Sequence, residues 1–373
     1  MTFAEPSIVN YKYSKFTIFI EKLKKQMDIK TIIKNKGHIS ISELMGYALP
    51  IYYGSRQPFG KGGDFITAPE ISQVFGELIG VFIAYQWINM GTPSSVALVE
   101  MGPGRGVLMK DLLRGTRRVK GFHEAIDIHM VENSLQLQQV QKETLEGMHG
   151  NIKWHDNINT IPRKKSFFVA NEFFDALPIN QYVKTKEGWC ENLIFLDKNE
   201  KLRFGLSPVC GFSDEFNKKH PFVKEGDVLE VSQSSLAIVK DIAKRIKEFG
   251  GAGVFIDYGY DYYGYKDTLQ GMKNHKFHDV LKNIGEADIT AHVDFVALSE
   301  AVKEQGIDDC SIVTQREFLM SLGIEKRREI LVAGAANKKQ AKRVSDCVER
   351  LIDVKNMGSL FKVLVSVEGK FGI

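Results

Sequence analysis

With 373 residues, 43% apolar and 26% charged, the chain has the makings of a large core and room for one enlarged domain or two. A net charge of +4 is small for that length and argues against bulk nucleic-acid binding. Cys190, Cys210, Cys310 and Cys347 are far apart and form no C-x-x-C pair, which disfavours structural zinc and a disulfide framework and fits a reducing compartment.

In chain order, residues 1–30 read as a poorly specified leader. The apolar run Phe16-Thr-Ile-Phe-Ile20 meets Glu21-Lys-Leu-Lys-Lys25 at once, so it is too short and wrongly charged for a signal peptide. No membrane span is visible. Residues 11–36 are rich in Lys, but the scarcity of Arg and Ser weighs against a transit segment. Gly37 to Pro50 reads as a helix stopped by proline, with Ser40 or Ser42 as candidate caps. Thr67 and Glu70 have capping-box spacing, and apolar residues at 71, 74, 75, 78, 79 and 82 give the next helix a broad buried face. Capping does not explain the acidic loop Gly62-Gly63-Asp64, and Asp64 is held as a candidate site residue. We therefore divide the chain into a helical N-terminal segment, 1–90, and a core, 91–373.

The core opens with Val96-Ala-Leu-Val-Glu100-Met-Gly102-Pro-Gly104-Arg-Gly106, followed by helical periodicity. This is strand, tight loop, helix, the opening of an α/β nucleotide-type site. Free N–H groups at the helix start suit a carboxylate or phosphate, and Arg105 supports an anionic ligand group. A dinucleotide fingerprint would put its third glycine at 107, but position 107 is Val and the glycine is Gly106. The pattern E-x-G-x-G-x-G is similar to the first motif of class I methyltransferases that use S-adenosylmethionine. The next strand, Ile126 to Val131, ends in Glu132, the position that takes ribose hydroxyls in doubly wound sheets.

Strands near 95–100, 126–131, 152–154, 166–171, 253–258, 311–314 and 360–366 alternate with helices near 106–114, 134–147, 233–249, 292–304 and 338–352. Such alternation predicts a mostly parallel seven-stranded α/β sheet with helices on both faces. A long insertion at about 180–232, after the fourth strand, contains a hairpin split by Asp197-Lys-Asn-Glu and is expected to form a substrate-side subdomain.

The fourth strand ends in Asn171-Glu172-Phe173-Phe174-Asp175, at the edge where open α/β sheets bind ligands. Acids there would hold a cationic acceptor, so Asn171, Glu172 and Asp175 are candidate catalytic residues. Amino-methyltransferases carry N/D-P-P-Y/F at this place; Glu172 and Phe173 replace both prolines, which counts against that substrate class. After the third strand, Asp156 is a candidate for the adenine amino group, with a surface turn equally open. Val254-Phe-Ile-Asp257-Tyr258-Gly259 ends the fifth strand with an acid and aromatics. His275 and His278 lack zinc-ligand spacing, no metal is expected, and the stretch reads as a polar loop.

Gly63-Asp-Phe-Ile-Thr-Ala-Pro-Glu70, Glu100 to Gly106, Asn171 to Pro178, Ile256-Asp-Tyr-Gly259, and Asp267-Thr-Leu through Asn274-His-Lys together resemble the MidA family. The resemblance runs from about residue 37 to Leu364. It implies a Rossmann-like class I fold and S-adenosylmethionine as cofactor, held by Glu100, Gly102, Gly104, Arg105, Gly106 and Glu132. It also implies methylation of an arginine on a protein substrate, a respiratory complex I subunit in the mitochondrial members. Bacterial members would be cytoplasmic and mitochondrial ones would work in the matrix. The rival expectations are a non-catalytic assembly factor on the same fold, and a methyltransferase acting on another acceptor.

Overall fold

The computed structural model describes residues 28–55, 67–211, 217–218 and 220–368. Seven strands run through one sheet: β1 (Val96–Met101), β2 (Ile126–Val131), β3 (Ile152–His155), β4 (Ser166–Asn171), β5 (Gly251–Tyr260), β6 (Cys310–Thr314) and β7 (Phe361–Val367). Their order is β3-β2-β1-β4-β5-β7-β6. β1 to β5 are mutually parallel, and β7 lies antiparallel between β5 and β6.

All six residues of β1 are buried, because helices cover both faces of the sheet. Val96 and Leu98 point into one core with α2 (Gln73–Asn89) and α3 (Val107–Thr116). Ala97, Val99 and Met101 point into the other, with α5 (Gln233–Phe249) and α6 (Phe295–Lys303). Truncating a side chain in such a core costs about 2–5 kcal/mol. α2 and α3 approach so closely that a Cβ on Gly80 would sit 2.8 Å from the Leu112 carbonyl oxygen. Buried Glu77 on α2 bridges Arg114 at 3.0 Å and Arg327 at 2.8 Å, tying the helix to two other elements. The helix α4 (Leu135–Thr144) follows β2 and is capped by Ser134.

The sheet gains an eighth strand: Val293–Asp294 pairs in parallel with the end of β5, just before Asp294 caps α6. The count of seven thus describes the main path, and two residues were too few to show as a strand in the hydropathy pattern. Strands Asn180–Lys184, Trp189–Leu196, Leu202–Cys210 and Val228–Val231 form a second sheet, whose antiparallel partner Ile39–Ser40 comes from far upstream. Residues expected to be a polar loop form a third sheet, Gln270–Lys273, Lys276–His278 and Asp288–Thr290. Its hairpin turns on Asn274 and His275, both at positive φ, a conformation Asn tolerates.

Two helix expectations are corrected. The helix α1 (Ile41–Ser55) runs through Pro50 instead of stopping there. Ser40 does cap it: its hydroxyl accepts from Glu43 N–H at 3.0 Å while Glu43 accepts from Ser40 N–H at 2.9 Å. Thr67 makes no side-chain cap bond; its helix is the short turn Ala68–Ile71, and Ser72 caps α2 instead.

Candidate functional site

The loop after β1 turns tightly, with Gly106 N–H donating to Pro103 O at 2.7 Å and Gly102 N–H to Val131 O at 3.1 Å. Gly102, Gly104 and Gly106 all sit at positive φ, and Gly106 is the left-handed cap of α3. At Gly102 the space is also taken, since a Cβ would lie 2.7 Å from the Phe173 ring. The cleft above the loop is lined by Glu100, Gly102, Pro103, Gly104 and Arg105, by Thr67, Pro69 and Glu70, and by Asn171 and Glu172.

Glu100 is 3% exposed, and its Oε2 has no hydrogen-bond partner. Burial pushes its carboxyl up to about 8, against the one stabilising backbone N–H of Met109. Glu132 ends β2 with its carboxylate held by Ser134 N–H at 2.8 Å and the Gln141 amide at 3.3 Å. Burial again dominates and raises it to about 7. Gln141 on α4 also donates to Gly104 O at 2.8 Å and accepts from the Trp154 indole at 2.9 Å, so one side chain fixes the glycine loop relative to Glu132.

Beyond β4, Glu172 takes φ 49, unusual for a non-glycine residue, and turns its carboxyl toward the cleft. Its Oε1 accepts from Ala68 N–H at 3.0 Å and from the Asn171 amide at 3.1 Å, leaving Asn171 Oδ1 buried without a partner. Burial raises Glu172 to about 7, and the neighbouring Asp175 adds to the rise. Asp175 is raised to about 6 by burial, with the Tyr258 side chain pulling the other way, and its Oδ1 is buried and unpartnered. Asp257 Oδ2 accepts from the N–H groups of Phe173, Phe174 and Asp175 at 3.1, 3.0 and 3.2 Å, so it clasps the loop that carries both acids. Its own carboxyl is raised by burial and by Asp175 and Glu172, against the N–H groups that favour the charge.

Residues 78–312, more than half of the chain, match a family described as "Putative S-adenosyl-L-methionine-dependent methyltransferase". The chain belongs to that methyltransferase family. A Danio rerio relative named "Protein arginine methyltransferase NDUFAF7, mitochondrial" is 40% identical over 357 residues, spanning 87% of this chain and 82% of its own. The Homo sapiens protein of the same name is 34% identical, over 88% and 80% of the two chains. Among solved structures, a Burkholderia thailandensis protein described as a "likely methyl transferase" and bound to S-adenosyl-homocysteine superposes with a TM-score of 0.83 at 27% identity. The match covers 100% of this chain and 96% of that one.

S-adenosylmethionine is the methyltransferase cofactor, and the residues present fit it. The glycine loop offers bare backbone, Glu100 Oε2 is a buried acceptor with nothing to bind, and Glu132 ends the neighbouring strand. Of the expected site residues, the fold brings Glu100, Gly102, Gly104, Arg105, Asn171 and Glu172 to one cleft; Gly106 caps α3 at the end of the same loop, Glu132 is tied to that loop through Gln141, and Asp175 lies three residues beyond Glu172. Arg105 pairs with Glu70 at 3.5 Å, so the Glu70 carboxyl is turned toward the glycine loop. Asp156 is exposed and does not line the cleft. Asp64 lies outside the described residues. Sequence reasoning missed Gln141, a glutamine mid-helix with no motif to mark it, and gave no role to Asp257, whose acid at a strand end was the available signal.

Proposed function

We propose that this methyltransferase transfers its methyl group to an arginine of a protein, a respiratory complex I subunit, in the mitochondrial matrix. The observation that carries the acceptor is the trio Glu172, Asp175 and Asp257: three carboxyls enclosed beside the cleft, where the mutual repulsion of the acids outweighs the distant pull of Arg350 on Glu172. Packing acids together out of water is unfavourable until a cation enters, and a guanidinium supplies charge and planar donors at once. The relatives named as mitochondrial arginine methyltransferases support the same reading, and no helix among the described residues is long and apolar enough to cross a membrane.

In this reading Glu100, Gly102, Gly104 and Gly106 would hold the methionine end, Arg105 its carboxylate and Glu132 the ribose, and Asp156, exposed beyond the cleft, would meet the adenine. Bound S-adenosylmethionine supplies a methyl group activated by its sulfonium. Glu172 and Asp175 orient the acceptor nitrogen, and Asn171 Oδ1 accepts one of its N–H groups. Methyl transfer would break the cofactor's methyl–sulfur bond, with the thioether S-adenosylhomocysteine as leaving group, and the proton lost by the methylated nitrogen would pass to Glu172 or Asp175, whose raised proton affinities suit them as bases near neutral pH. Alignment supplies most of the acceleration. Asp64 would join the acids, and the 180–232 insertion would form the substrate side. Labelled-methyl transfer to respiratory-chain subunits, followed by mass spectrometry, is expected to mark arginine and to be lost in Asp175→Ala. Label on another residue type would overturn the acceptor, and assembly rescue by a mutant without transfer would favour a non-catalytic role.

A further inference from the structure

A second, larger cavity of about 1010 Å³ lies apart from the glycine loop. It is lined by the end of β5 and the stretch after it, up to Gly271, by the hairpin segment 277–280, by His292, and by residues from Val354 into the start of β7. That volume exceeds what one arginine side chain fills, and suits a stretch of polypeptide. The cavity reaches the acids through two aromatic side chains. His292, which lines it, packs edge-on against Tyr258 with ring centroids 5.3 Å apart, and the Tyr258 side chain faces Asp175. The His292 backbone is fixed by its N–H donating to the Thr268 hydroxyl at 2.9 Å.

The lining has a definite chemistry. Phe277 is 82% exposed, and Tyr262, Val354 and Leu360 are exposed as well, an unusual concentration of large apolar side chains in water. Three lysines, Lys266, Lys355 and Lys362, outnumber the two acids in the lining: Asp279 pairs with Lys282 at 3.2 Å, and Asp267 accepts from the Gln181 amide at 2.7 Å. Lys362 is paired with Asp261 at 3.3 Å. Lys266 and Lys355 come from the two different stretches, and their ammonium groups have no partner among the described residues.

We infer that this groove holds the segment of the substrate protein flanking the methylated residue, and that the segment is extended, apolar and acidic. The inference rests on the reading of the chain as a protein arginine methyltransferase. The exposed rings would cover the apolar side chains, and Lys266 and Lys355 would receive carboxylates.

Two fluorescent arginine-centred peptides test it, one with Leu and Glu flanks and one with Leu and Lys flanks. Binding to the full chain is read by anisotropy, and methyl transfer by mass spectrometry. The acidic peptide is expected to bind more tightly and to be methylated with the lower KM. In Lys266→Glu/Lys355→Glu that KM should rise about five- to thirty-fold, and Phe277→Ser should weaken both peptides. S-adenosylmethionine affinity by calorimetry checks that the variants are folded. Equal binding of the two peptides by the wild type, or an unchanged preference in the double variant, would overturn the groove. Charge-dependent binding without transfer to arginine would leave the groove standing and overturn the acceptor.

Discussion

Replacing Glu100 with glutamine gives the sharpest test of the buried-acid arrangement. In the folded chain burial raises this carboxyl from 4.5 to about 8, so between those values the folded state holds a proton that the unfolded state has released. Unfolding then releases a proton, and stability must fall as pH rises through that window, by about 1.4 kcal/mol per unit and about 4–5 kcal/mol in all. Glutamine has no such term. It can keep the Met109 N–H bond, but its amide NH₂ replaces an oxygen that has no partner, at a cost of about 1–3 kcal/mol at every pH. The variant should therefore be less stable in acid and more stable in mild alkali, with the curves crossing near about pH 6. Urea unfolding from about pH 5 to about pH 8 measures this. A gap that stays constant across the range would refute the reasoning, because it would mean that Glu100 titrates alike in both states.

Glu132→Ala should cost about 1.5–3 kcal/mol in S-adenosylmethionine binding, roughly ten- to over a hundred-fold by calorimetry; unchanged affinity would remove the ribose role. Gly102→Ala must adopt φ 61 and push against Phe173, so stability should drop by about 1–2 kcal/mol and cofactor affinity with it; thermal unfolding and calorimetry read the two. Asp257→Asn keeps one acceptor oxygen where two served four N–H groups, including that of Tyr258. It should lose about 2–4 kcal/mol of stability and much of kcat with little change in cofactor affinity; an unaltered kcat would show that the clasp does not set the acids.

The parallel sheet was legible because its strands are continuous apolar runs that end in turn residues, and the run from Val96 to Val99 is apolar on both faces before the acid at Glu100. The glycine spacing and the acids at 100, 132, 172 and 175 were legible because they sit at strand ends. Harder to see were features built across sequence distance. Ile39–Ser40 is a strand only because Leu193 and Ile194 pair with it, and two residues carry no periodicity of their own. Pro50 lies inside a helix because tertiary packing of α1 outweighs one lost backbone bond. The hairpin at 270–278 is too polar and short to show alternation. Gln141 acts through three partners that come from three separate segments, and nothing in its neighbours announces that.

The placement of β7 bears on how the protein is made. Residues 361–367 occupy the gap between β5 and β6, hydrogen-bonded on both sides, yet they are synthesised after almost everything else described. At about 5–20 residues per second, the ribosome has long finished the glycine loop before that gap can close. Until then β5 offers a bare edge and β6 has no neighbour to join. A premature stop near residue 355 would therefore not trim a tail but leave the sheet in two pieces, with β5 and β6 each missing the strand that joins them.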